Sequence, residues 1–141
     1  MVTGRIDIYA SSARFAIDSV LSPDYIRSTM KGLSVRQPWA SLIASGEKTV
    51  EVRTWSTTYR GPLLVCASKS PRLNDLPVGV ALCVVDLLDC RPVTSDDSAS
   101  ACCNVDPSRE FALVLANPQP LKFLRPVSGR LGLFEVELAA S

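Results

Sequence analysis

The sequence predicts an α+β domain, mainly β, built as a small β-barrel with flanking short helices. Two observations carry this. Five or six short apolar or alternating runs are separated by glycine, proline and asparagine turns, whereas only two or three short stretches show helical spacing. Strand edges in so small a sheet also need protection, and closure provides it. At 141 residues the chain is long enough for one domain with a real core, and 47% hydrophobic with 21% charged residues fits a globular class.

Residues 1–30 read as an N-terminal extension and residues 31–141 as the domain proper. The opening, Met1 to Thr29, is weakly patterned, with Ser22-Pro23-Asp24 as a break. It reads as a helical or strand-like extension, or as a translated leader ahead of Met30. Gly32 to Arg36 is a short strand, and Gln37-Pro38-Trp39 opens a helix with proline suited to the first turn. Trp39, Leu42 and Ile43 share one face of it, and Gly46 ends it by taking the left-handed conformation.

Thr49 to Trp55 follows as a strand, and Tyr59-Arg60-Gly61-Pro62 as a turn. Leu63 to Ser68 is an apolar, buried strand. Pro71 to Pro77 is a loop or one helical turn, and Val78 to Cys90 a long strand. Thr94-Ser95-Asp96-Asp97 starts a short helix over Ser95 to Asn104, with a capping residue and acid in the first turn. Phe111 to Ala116 and Leu131 to Leu138 are two last strands, separated by the turns at Asn117-Pro118-Gln119-Pro120 and Ser128-Gly129-Arg130.

Composition excludes several function classes. The chain has no histidine, which removes Ser-His-Asp triads, Cys-His pairs and histidine-based metal sites together. Five cysteines without a C-x-x-C pair argue against both a disulfide framework and a zinc knuckle, so no metal and no cofactor is expected. No apolar run approaches the roughly 20 residues of a membrane helix. The opening mixes Arg5, Asp7, Arg14, Asp18, Asp24 and Arg27 through its apolar positions, unlike a secretory signal, so a cytoplasmic location without membrane contact is expected.

The net charge of +1 conceals an uneven distribution. Residues 31 to 72 carry seven lysines and arginines against Glu47 and Glu51, a net +5, and residues 73 to 110 carry the reverse, a net −5. The basic block contains Trp39, Trp55 and Tyr59, and cations beside flat rings are what a nucleic-acid surface needs. Mutual neutralisation of the two blocks is the plainer alternative.

Within the basic block, Gly46-Glu47-Lys48-Thr49-Val50-Glu51-Val52-Arg53 is the most informative segment. Strand alternation turns Val50 and Val52 inward and gives Thr49, Glu51, Arg53 and Trp55 the other face. A compact Lys48, Glu51 and Arg53 set is suited to recognition or proton transfer, and a solvated face with a Glu51 to Arg53 surface pair is the competing account.

Taken together, Gly32-Leu33-Ser34-Val35-Arg36-Gln37-Pro38-Trp39-Ala40, Gly46-x-Lys48-x-x-Glu51-x-Arg53, Arg60-Gly61-Pro62 running into Leu64 to Lys69, and the tail motifs Phe111 to Pro118 and Gly129 to Phe134 resemble the ASCH domain family. The resemblance covers about residues 31 to 138 and implies a PUA-like β-barrel. It also implies a cleft that takes RNA or a modified nucleoside. The matching ligand-binding positions are Arg36, Gln37, Trp39, Lys48, Glu51 and Arg53, with Trp55 as a second stacking ring. Lys48 and Arg53 would meet phosphate or a carbonyl edge, Glu51 an exocyclic amine, and Trp39 or Trp55 a base face. Against these roles stand a core Trp39, an Arg36 to Glu51 pair and a Gln37 that only caps its helix.

Two positions depart from the family pattern. Small members that hydrolyse acylated cytidine have threonine where Glu51 stands, and many members have histidine where Cys66 stands. Three functions follow as expectations. The first is RNA or nucleoside binding. The second is hydrolysis, as an amidohydrolase or ribonuclease, with Lys48 as base and Glu51 as proton shuttle. The third is a protein interaction module in transcription or RNA processing.

Overall fold

The computed structural model describes residues 5–7 and 27–139. The extension or leader expected over residues 1–4 and 8–26 lies outside the described residues. Among the described residues seven strands form one sheet: β1 (Arg5–Asp7), β2 (Arg27–Val35), β3 (Val50–Arg53), β4 (Gly61–Ala67), β5 (Val80–Pro92), β6 (Phe111–Pro126) and β7 (Leu133–Ala139). Helix α1 (Trp39–Ser45) joins β2 to β3, and a 3-10 turn (Ser95–Asp97) runs into the single-turn helix α2 (Ser98–Ala101) between β5 and β6. The class is α+β, with few and short helices.

The sheet order is β1-β7-β2-β4-β5-β6-β3. Two of its pairings are parallel, β1 with β7 and β2 with β4, and the rest are antiparallel. The expected closure into a barrel does not occur among the described residues. Hydrogen-bonded order ends at β1 on one side and at β3 on the other, and β3 covers β6 only opposite Phe111 to Val114. Four residues are too few to carry the sheet round to its far edge.

Strand β4 shows why the sheet holds together. Leu63, Val65 and Ala67 enter one apolar cluster with Leu33, Val35, Ile43 and Leu113. Leu64 and Cys66 enter another with Phe134, Val136 and Leu121 on the opposite face. A strand buried on both faces reads as a continuous apolar run, as Leu63 to Ala67 does. Each fully buried leucine or valine there contributes roughly 1.5–3 kcal/mol of transfer free energy.

Several bounds shift by a few residues from the sequence reading: β3 is shorter than Thr49 to Trp55, β5 lies two residues later than Val78 to Cys90, β4 already includes Gly61-Pro62 of the expected turn, and the helix expected over Ser95 to Asn104 ends at Ala101. Two differences are larger. Strand β2 begins at Arg27, because its first residues pair with the end of β7, Arg27 opposite Ala139 and Thr29 opposite Glu137. Strand β6 runs through Asn117-Pro118-Gln119-Pro120, where a turn was expected. Its register against β5 shifts between Val84 and Asp86, and Asn117 takes a positive φ of 54°. A bulge absorbs Asn117 and Pro118, and Pro120, opposite Cys83, borders a second shift of register between Ala81 and Cys83, so the prolines, which have no N–H to donate, sit in or beside an interruption of the ladder. Other elements agree: Gly46 caps α1 with φ 86°, and Thr94 with Asp97 forms the cap of the 3-10 turn.

Candidate functional site

The end of β2, helix α1, strand β3 and the loop after α2 meet around an open cleft of about 600 Å³. Helix α1 is fixed first. Ile43 is buried in the main cluster and Trp39 packs against it. The Gly46 cap then turns the chain so that the Lys48 N–H donates to the Leu42 carbonyl at 3.0 Å. Thr49 is pinned on both sides, its N–H to Ser100 at 2.9 Å and its carbonyl to the Leu115 N–H at 2.9 Å. From there β3 pairs with β6, Val50 opposite Val114 and Arg53 opposite Phe111. Val50 and Val52 pack with Val93, Ala101 and Ala112, as strand alternation predicts.

This arrangement brings the three charged heads together. Lys48 is 2% exposed and Glu51 7%. The Lys48 ammonium lies 3.4 Å from Glu51 Oε1 and donates to the Ala101 carbonyl. That carbonyl belongs to the last residue of α2, where the helix leaves acceptors unmet, so the lysine satisfies a helix end as well as a carboxylate. The Arg53 Nε and Nη2 each approach Glu51 Oε2 at 2.9 Å, and Nη2 also donates to the Ser34 carbonyl at 2.6 Å. Glu51 is thus held by a different cation at each oxygen. A buried carboxylate with a cation on each side keeps its position without further support.

Of the positions expected at the site, Arg36, Trp39, Lys48, Glu51 and Arg53 line the cleft. Arg36 stands exposed at the mouth and its expected pairing partner, Glu51, is taken by Lys48 and Arg53. Trp39 serves both accounts, half-buried against the core and open to the cleft. Gln37 does not line it. Its side chain is 1% exposed, donates through Nε2 to the Pro77 carbonyl at 2.8 Å, and accepts from the Ser41 N–H at 3.0 Å. Trp55 packs on the main core and is likewise not part of the wall.

Several lining residues were not singled out from the sequence. Ser34 and Ser68 border the cleft from β2 and the end of β4, Cys103 and Asn104 from the loop after α2, and Glu110 and Arg130 from the far side. Arg130 belongs to the Gly129 to Phe134 motif, but a lone arginine after glycine carries no mark that it will line the cleft. Glu110 also donates structure to its own loop by accepting from the Asp106 N–H at 2.6 Å. Among the described residues, no group of three or more acidic or thiol side chains is placed to hold a metal ion, and no helix is long and apolar enough to cross a membrane.

Helix α2, whose carbonyl anchors Lys48, is itself held by an ion pair. Arg91 Nη1 and Nη2 donate to Asp97 Oδ2 and Oδ1, both at 2.8 Å, and the Thr94 N–H donates to Oδ2 at 2.8 Å. The Arg91 guanidinium and then the Thr94 N–H hold the Asp97 carboxyl well below the usual carboxylate range.

The family model for the ASCH domain matches residues 33–125. The chain belongs to the ASCH domain family. Its architecture is the α+β class that the sequence predicts, with an open sheet among the described residues. The human relative, activating signal cointegrator 1 of Homo sapiens, is 32% identical over 127 aligned residues covering 74% of this chain. The Mus musculus protein of the same name is 31% identical over the same length. This ASCH chain spans only 22% of the length of either relative. The crystal structure of ASCH from Zymomonas mobilis superposes with a TM-score of 0.49 at 18% identity, over 64% of this chain and 68% of that one.

Proposed function

We propose that this ASCH domain binds single-stranded RNA, or one modified nucleoside, in the cleft above Glu51. The observation that carries the proposal is the convergence of the Lys48, Glu51 and Arg53 heads at the base of an open hollow with an indole on its wall and Arg36 and Arg130 at its margin. Its volume of about 600 Å³ lies within the range of small-ligand sites. Glu51 retains lone pairs for an exocyclic amine, since a carboxylate offers about four acceptor sites. Trp39 supplies a face for stacking, and the arginines supply phosphate or carbonyl contacts. Lys48, being buried, acts by fixing Glu51 in place.

Hydrolysis by a Lys48 base has less support, because its ammonium is already engaged by the Ala101 carbonyl and the Glu51 carboxylate. An interaction module draws its support from the cointegrator relatives, of which this chain matches a minor part. Residues 31–141 as the functional unit, preceded by an extension, and a cytoplasmic setting belong to the same proposal.

Fluorescence anisotropy with a short random-sequence RNA, together with calorimetry on a nucleoside panel, tests it. Saturable binding that weakens with salt and falls roughly ten-fold in Arg53→Ala is the expected result. No binding at low salt, or binding indifferent to Arg53→Ala, would show the proposal to be wrong.

A further inference from the structure

We infer that the ligand carries a phosphate, seated in a second hollow beside the first, so that this domain selects nucleotides and RNA strands over free nucleosides. The inference rests on the proposed function and narrows its ligand class.

The second hollow holds about 370 Å³ and shares Ser34, Ser68, Arg130 and Leu131 with the cleft, so one ligand can occupy both. The two differ in their acids. The cleft sets Glu51 and Glu110 among Arg36, Lys48, Arg53 and Arg130, with Lys48 and Arg53 already paired to Glu51, whereas the second hollow has no acidic residue in its described lining and presents Lys69 and Arg130 with the hydroxyl residues Ser34, Ser68 and Ser128. A phosphate is repelled by carboxylates and favoured by two cations and hydroxyl donors. The placement of the carboxylates therefore sorts a nucleotide, with its base toward Glu51 and its phosphate toward Lys69.

The hollow is also built by backbone packing. A Cβ at Gly129 would lie 1.8 Å from Ser34 Oγ, so glycine lets the 127–131 loop lie against the end of β2 without displacing the serine hydroxyl. That loop is tied down where the Val127 N–H donates to the Gly79 carbonyl at 3.1 Å, and the facing wall where the Ser68 N–H donates to the Val35 carbonyl at 2.9 Å. A Cβ at Gly79 would meet Lys69 Cγ at 3.3 Å, so this glycine makes room for the lysine stem. Both walls are thus set before a ligand arrives, which limits the ordering cost of binding.

Calorimetry on the whole chain tests the inference with the four ribonucleosides, their 3′- and 5′-monophosphates and a short random-sequence RNA. A monophosphate should bind roughly ten-fold more tightly than its nucleoside. In Lys69→Gln with Arg130→Gln that advantage should vanish and the salt dependence of RNA binding should flatten, and in Lys69→Gln alone, which leaves the cleft lining untouched, nucleoside affinity should stay within about two-fold. Nucleosides and monophosphates binding equally, or an advantage that survives in the double variant, would overturn the phosphate site and leave the proposed function standing. Absence of binding by every probe would overturn both.

Discussion

Lys48 and Glu51 lie 3.4 Å apart beneath the cleft, and the same ammonium closes the end of α2 by donating to the Ala101 carbonyl. One residue therefore ties the charged strand β3 to the helix behind it. Removing it strands two acceptors at once.

Lys48→Met should destabilise the fold by about 3–5 kcal/mol, the range for breaking a buried pair by deleting one partner. Glu51→Leu should cost at least as much, because it leaves the buried Lys48 ammonium without a carboxylate, whereas Lys48→Met leaves Glu51 paired with Arg53. The double variant should be more stable than the sum of the single losses implies, since no lone charge is left buried. Urea unfolding of the four proteins gives the coupling energy.

Gln37 separates stability from binding. Its amide bridges α1 to the Pro77 loop from a fully buried position, so Gln37→Ala should cost about 1–3 kcal/mol in unfolding free energy by orphaning buried groups. RNA affinity, measured where the variant is folded, should change less than two-fold. A large affinity loss at unchanged stability would place Gln37 in the binding wall after all.

Asp97 sets an acid limit. Its native pKa lies below the unfolded value, so its stabilisation is complete above about pH 4 and is lost as pH falls toward the native value. Stability curves of the wild type and Asp97→Asn should therefore converge on acidification. Parallel curves from neutral to acid pH would contradict this. Because Asp97 holds α2, the variant should also loosen the Lys48 anchor, visible as faster amide exchange at Thr49, which donates to Ser100.

Burial pushes the Cys66 and Cys83 thiols up to about 12, so both should resist alkylation in the native protein while exposed Cys102 reacts. The sign of the linkage follows. An unfolded thiol ionises near its ordinary value and a buried one does not, so stability is full below that value. It declines above it, by up to about 1.4 kcal/mol per pH unit for each thiol. Denaturant melts at rising alkaline pH check this, and Cys66→Ala with Cys83→Ala should flatten the decline.

Much of the site was legible because its cause is local. Gly46 had to end α1, and strand alternation had to separate Val50 and Val52 from Glu51 and Arg53. What was not legible depends on distant chain. Proline normally closes a strand, and only the bulged pairing with β5 lets β6 pass through Pro118 and Pro120. The roles of Gln37 and Arg130 likewise come from the Pro77 loop and the packing of Gly129 on Ser34, neither of which leaves a mark in nearby sequence. Closure failed as an expectation because β3 is only four residues long.

The most direct test is a crystal structure of the protein with a short single-stranded RNA bound. The account predicts a base in the cleft against Trp39 and Glu51, within hydrogen-bond reach of Arg53. RNA bound on another face, with the cleft holding only solvent, would contradict it.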